Sequence, residues 1–127
     1  IFLYFEEIDF CRQTKLNGGK VFSSSKLIVK HLGHKGSAAT DPNYTIETEM
    51  FRNWHWMWSS FYYYNKHYGY AYGLIKTFPK LFPSILKYLY YKIVNKQKQR
   101  EKYKMRFLGL INSYFLRKSY YRPYKRN

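Results

Sequence analysis

The chain opens on an apolar run, Ile1-Phe2-Leu3-Tyr4-Phe5, which passes straight into three acids, Glu6, Glu7 and Asp9. A short apolar run without breakers suits a strand covered on both faces. From 6 to 17 the pattern becomes helical, with Ile8, Cys11 and Leu16 inward, and Gly18-Gly19 supplies the left-handed stop that closes helices. Two further short strands are predicted over 20–22 and 27–32, separated by Ser23-Ser24-Ser25. The second leads into Gly33-His34-Lys35-Gly36-Ser37. That loop of donors suits close approach to a phosphate, or equally a polar surface loop.

Asp41-Pro42-Asn43 is turn chemistry, after which Thr45 is the predicted N-cap, with Glu47 and Glu49 in the first turn of a long helix ending near 66. Phe51, Trp54, Trp58 and Phe61 recur at helical spacing and predict a core stripe. Arg52, His55, Ser59, Tyr63 and Lys66 form a second, polar stripe, which reads as a solvated face or as one wall of a binding cleft. Gly69, Gly73, Pro79 and Pro83 are expected to break up the next stretch. Over 83–94, Ile85, Leu86, Leu89 and Ile93 line one side of a helix, with Lys87 and Lys92 among them. A basic run over 96–106 passes into another amphipathic helix through Phe107, Ile111, Tyr114 and Phe115, then into a basic, tyrosine-rich tail.

Charge divides the chain. Before Met50, six Lys/Arg balance six Asp/Glu, whereas from Met50 onward seventeen basic residues face one acid, Glu101, giving the net +16. The back half is therefore suited to phosphate-rich surfaces, anionic lipid or nucleic acid. Sixteen tyrosines within 23% aromatics favour boundaries that are apolar at one end and wet at the other, including a membrane interface. The apolar runs fall short of the ~18 residues needed for a span, so a surface position is expected instead. One cysteine, Cys11, excludes an internal disulfide. There is no phosphate loop of the P-loop or dinucleotide type and no local nucleophile signature.

Three groups of residues carry a family resemblance. They are Phe2-Leu3-Tyr4-Phe5-Glu6-Glu7-Ile8-Asp9-Phe10-Cys11 with Gly18-Gly19-Lys20-Val21, then Val29-Lys30-His31-Leu32-Gly33, then Arg52-Asn53-Trp54-His55-Trp56-Met57-Trp58-Ser59 with Tyr64-Asn65-Lys66-His67-Tyr68-Gly69. In this order they resemble the C-terminal part of inverting family 2 glycosyltransferases, especially rhamnosyltransferase-like members that build bacterial surface polysaccharides. The likeness covers roughly residues 1–70. The family's acidic motif is Glu-Asp followed by x-Asp; here it is Glu6-Glu7, with Asp9 in place.

The resemblance implies a catalytic pair in which Glu7 is the base that deprotonates the acceptor hydroxyl, and Glu6 orients the acceptor or a loop. Asp9, which also suits bracing the helix, is grouped with His34, Lys35 and Ser37 as substrate-binding, the last three toward the leaving diphosphate. Arg52, His55 and Lys66 are assigned to the acceptor side. His31 matches a histidine that contacts the metal or the diphosphate, which implies a divalent cofactor, Mg²⁺ or Mn²⁺. The family's Asp-x-Asp metal motif is not in this chain.

The expected architecture is α/β. Residues 1–40 would be the C-terminal part of a GT-A-like, Rossmann-like catalytic core, 41–69 a core-capping, acceptor-side helix, and 70–127 an amphipathic, basic, aromatic helical extension on the membrane. The start inside an apolar strand suggests a piece of a longer protein whose N-terminal half of the same domain comes first. The partners implied are a nucleotide-diphosphate sugar, possibly of rhamnose, a lipid-linked or polysaccharide acceptor, and an anionic membrane surface, with no nucleic acid expected. The expected location is cytoplasmic, peripheral on the inner face of the cell membrane. The alternative is a non-enzymatic cationic protein that binds anionic lipid or nucleic acid through its basic aromatic tail.

Overall fold

The structure, a computed structural model, describes residues 3–30 and 42–121, with side chains of the second helix described from residue 46. Four helices follow in order: α1 (Glu6–Leu16), α2 (Pro42–Tyr68), α3 (Tyr70–Ile93) and α4 (Gln97–Tyr114).

The α/β expectation is overturned, because the described residues contain no strand and α2, α3 and α4 pack on one another instead. Local conformation and burial explain the error. Tyr4 and Phe5 take positive φ angles of 64° and 65°, which no strand tolerates, and the chain turns there into α1. Leu27, Ile28 and Val29 have strand composition but are 77%, 93% and 88% exposed. Without a neighbouring strand, such a run has nothing to pair with. His31 and Leu32, which end that predicted strand, lie outside the described residues, as does Asp41 of the predicted turn.

Helix α2 is the hub. Trp54, Trp58 and Phe61 of the predicted aromatic stripe are buried and Phe51 is half-buried, but Met57 and the polar-stripe residues His55, Ser59 and Tyr63 are buried too. The middle of α2 is therefore enclosed on both stripes. Met57, Phe61 and Leu110 form the core, with Leu74, Leu81 and Tyr114 packed against it from α3 and α4. Two glycines permit the close approach. A Cβ on Gly109 would sit 2.3 Å from the Trp54 carbonyl oxygen, and one on Gly73 would sit 2.9 Å from the Phe61 ring. The α2–α4 crossing is thus a contact of backbone on backbone.

The start of α2 lies upstream of the predicted cap, at Pro42, a residue that suits a first helical position because its missing N–H has no partner there anyway. Glu47 and Glu49 consequently fall beyond the first turn. Gly69, at φ 88°, separates α2 from α3.

Helix α3 does not break at Pro79 or Pro83. Each proline removes the N–H that would bond the carbonyl four residues earlier, at Ile75 and Pro79. Both of those positions are on the exposed side of α3. The packed side combines Leu74 and Leu81 with small and polar residues, of which Gly73, Thr77 and Ser84 are buried. Thr77 and Ser84 bond the carbonyls of Gly73 and Lys80, each at 2.7 Å. The usual arrangement of an amphipathic helix is therefore inverted. Ile75, Phe78, Phe82, Leu86, Leu89 and Ile93 recur at steps of three and four, and all six face outward.

Candidate functional site

Glu6, Glu7 and Asp9 share the first turn of α1. Gly18, with φ 77°, closes the helix, and the Gly18 and Gly19 amides donate to the carbonyls of Lys15 and Thr14. Three kinds of contact dock this short element on α2. The ring of Phe5 lies 5.4 Å from that of Tyr63, and Tyr4 meets Trp56 edge-on at 5.1 Å. Ser59 Oγ donates to the Leu3 carbonyl at 2.6 Å. At the far side, Asp9 accepts from Lys66 Nζ at 2.6 Å and from His67 Nε2 at 2.5 Å.

Asp9 is thereby committed. Partial burial raises its pKa, but the hydrogen bonds from Lys66 and His67 outweigh this and hold the carboxyl below its ordinary 3.8. Lys66, expected on the acceptor side, is instead the partner of Asp9. Arg12 adds to the same joint, donating to the Tyr68 hydroxyl with its guanidinium 4.5 Å from the ring centre.

The two glutamates differ. Glu7 is exposed, and no hydrogen bond or ion pair engages it among the described residues. It lines an open groove of about 560 Å³ together with Ile8, Cys11, Arg12, Lys15, Leu16 and Tyr63. Ile8 and Leu16, predicted to face inward, are 54% and 66% exposed and form this groove's apolar wall. Glu6 is half-buried, and its Oε2 is enclosed without a hydrogen-bond partner among the described residues. Burial also raises the pKa of Tyr4, with Arg52 opposing the shift and Glu6 adding to it, which puts all three in one electrostatic neighbourhood.

His55 lies in the interior. It is fully buried, its Nε2 sits 2.9 Å from the Tyr121 carbonyl, and its Nδ1 is 3.1 Å from Ser119 Oγ. His31, His34, Lys35 and Ser37 lie outside the described residues. Glu6, Glu7, Asp9 and Lys66 are thus brought to one end of the molecule, Arg52 is linked to it through Tyr4, and His55 serves the core. Among the described residues no group of three or more His, Cys, Asp or Glu is arranged to hold a metal ion. His31, the residue expected to contact a metal, lies outside the described residues.

Reading the residues alone missed a second feature. Trp56, Lys80, Lys87, Tyr103 and Arg106 line a pocket of about 280 Å³ between α2, α3 and α4. The signal was present in Lys80 and Lys87 at helical spacing, but their meeting with Arg106 depends on the packing of α4. No helix among the described residues is long and apolar enough to cross a membrane. Comparison of the chain with family models, with curated proteins and with solved structures returns no match.

Proposed function

We propose that this chain supplies the acid-bearing, acceptor-side part of an inverting glycosyltransferase working at an anionic membrane surface. The observation that carries the reading is the division of labour within one helical turn. Asp9 is clamped by Lys66 and His67, and Glu7 is left exposed and unengaged in the lining of a groove. The likeness of the Glu6-Glu7-Ile8-Asp9 and Arg52-Asn53-Trp54-His55-Trp56 segments to family 2 glycosyltransferases supports the same assignment.

In this mechanism the Glu7 carboxylate accepts the proton of an acceptor hydroxyl as that oxygen attacks the anomeric carbon of a sugar nucleotide. The bond from the anomeric carbon to the diphosphate breaks with inversion, and the nucleoside diphosphate leaves. General base catalysis of this kind contributes typically ~10²–10⁴-fold. Asp9 positions the turn and does not touch the reacting atoms. Glu6, enclosed beside Tyr4, orients the loop that enters the helix.

The outward apolar stripe of α3 supports the membrane part of the reading. Its six large side chains are flanked by Lys76 and Lys87 on one side and by Lys92 on the other. A helix of this pattern lies in the interfacial plane, and each lysine near an anionic surface adds ~1 kcal/mol. The acceptor is then a sugar or glycan borne on lipid. The cytoplasmic face is the location at which nucleotide sugars meet such acceptors. The same stripe favours a second reading, a non-catalytic protein that binds anionic lipid.

Sugar-nucleotide turnover by the full-length protein separates the two. Release of nucleoside diphosphate is followed with Mg²⁺ or Mn²⁺, a panel of donors and membrane extract as acceptor, beside the Glu7→Gln variant. Turnover that Glu7→Gln lowers by ~10²-fold or more, with donor binding retained, is the expected result. A folded protein that binds vesicles but neither binds nor turns over any donor would leave the lipid-binding reading.

A further inference from the structure

The body formed by α2, α3 and α4 contains a cation cluster that its own acids do not serve. Glu49 binds Lys98 at 3.1 Å and Lys102 at 3.4 Å, and Glu101 binds Arg100 at 3.1 Å and Lys104 at 3.4 Å. Lys80, Lys87 and Arg106 have no carboxylate partner among the described residues, yet they converge on one pocket. Lys80 is half-buried, and burial lowers its pKa. Its ammonium donates one of three protons to Ser60 Oγ at 3.0 Å. Arg106 is oriented through Nε, which donates to Asn53 Oδ1 at 2.7 Å and leaves the terminal nitrogens available for further donation. The Tyr103 ring lies between the other two cations, 5.2 Å from Lys87 Nζ and 5.5 Å from the Arg106 guanidinium. Three like charges held together by packing, with no acid lining the pocket, favour an anion with several acceptor oxygens.

Two further observations narrow the anion. The pocket, at about 280 Å³, falls just below the ~300–1,000 Å³ typical of sites that enclose whole small molecules. Its lining adjoins the outward stripe of α3, since Pro83 and Lys87 follow the exposed Phe82 and Leu86 directly in the helix. A head group held here would have its chains alongside apolar surface. On the opposite side Trp56 is shared: it lines the pocket and packs against Tyr4 and Phe5, at 5.1 Å and 6.1 Å, where the chain enters α1.

We infer that Lys80, Lys87 and Arg106 form a binding site for the terminal phosphate or diphosphate of a membrane lipid, one tryptophan away from the acid-bearing turn. Taken with the transferase reading, on which the identity of the acceptor rests, that lipid is the carrier of the acceptor sugar.

The test is binding of the full-length protein to phosphatidylcholine vesicles containing phosphatidic acid, which exposes a phosphate monoester, against vesicles of equal surface charge made with phosphatidylglycerol. Wild type should prefer phosphatidic acid about fivefold or more. Lys87→Gln, which removes an exposed side chain and leaves the core intact, and Lys80→Gln/Arg106→Gln should both abolish that preference while keeping phosphatidylglycerol binding within about fivefold per charge removed. A control with Lys96→Gln and Lys118→Gln should weaken both vesicles equally and keep the preference. Inorganic pyrophosphate should compete for the phosphatidic acid increment. No preference in wild type, or its survival in Lys87→Gln and in the folded double variant, would overturn the site. Pyrophosphate binding without any lipid increment would overturn its assignment to lipid. Turnover is scored separately: absence of the phosphate preference in wild type with transfer intact sinks this site alone, and a preference without transfer sinks the transferase reading alone.

Discussion

Residues 3–16 and the body formed by α2, α3 and α4 are held by different physics. The body is a packed core in which backbones touch, with Leu110, Phe61 and Trp54 almost wholly buried. Helix α1 buries none of its residues and is attached by ring contacts, one hydrogen bond from Ser59 and the grip of Lys66 and His67 on Asp9. The body has the rigidity of close packing, whereas α1 is positioned by a few polar and aromatic contacts of modest individual strength. On the transferase reading, the element that bears the proposed base is thus the weakly held one, and the strongly held one supplies the surface beside it. Stability and activity should accordingly respond to different substitutions.

The sharpest break is at the α2–α4 crossing. Gly109→Ala places a methyl group 2.3 Å from the Trp54 carbonyl oxygen, a backbone atom that cannot move aside alone. Overpacking of this kind costs ~1–3 kcal/mol, and thermal unfolding should show a fall in Tm of ~5–20 °C. A Tm unchanged within a degree would mean that the helices do not meet there.

Next in size is the outward face of α3. Phe78 and Phe82 are 60% and 59% exposed, so replacing both with Ser removes apolar area that lies mostly outside the packed interior. Binding to anionic vesicles should weaken by ~30-fold, with thermal stability within ~0.5 kcal/mol of wild type. A large loss of stability instead would place these rings in a protein interior.

Asp9→Asn should cost less than ~2 kcal/mol and act locally. Hydrogen exchange of α1 amides should quicken while those of α2 stay protected. The same joint predicts a pH response. The Asp9 carboxyl is depressed on folding, so its contribution is fully present above the unfolded value near 3.8 and is lost as pH falls through the lower folded value. Protection of α1 should therefore decay below about pH 4 in wild type and be flat across that range in Asp9→Asn.

Local pattern made part of this legible. The aromatic stripe of α2, the acid-rich first turn and the glycine stop of α1 all follow from short-range spacing. Three features depended on partners distant in sequence. His55 belongs by spacing to the polar stripe, and its burial is supported by Ser119 and Tyr121, more than sixty residues on. Pro79 and Pro83 punctuate the sequence, yet they lie where α3 faces outward, so the missing hydrogen bonds fall outside the core. Leu27, Ile28 and Val29 have strand composition, but a strand needs a neighbour, and composition cannot say whether one exists.

The candidate site divides along the same line. Glu7 is prominent in the sequence because of its neighbours in the chain. The cation pocket is not, because Lys80, Lys87 and Arg106 come together only when α3 and α4 pack.

The most direct measurement is transfer to two acceptors of the same sugar, one borne on lipid in vesicles and one water-soluble, by wild type, Glu7→Gln and Phe78→Ser/Phe82→Ser. The account predicts that Glu7→Gln loses both reactions by ~10²-fold or more, because the base acts on any acceptor. Phe78→Ser/Phe82→Ser should lose only the lipid-borne reaction. Equal activity of Glu7→Gln and wild type on the soluble acceptor would contradict the account.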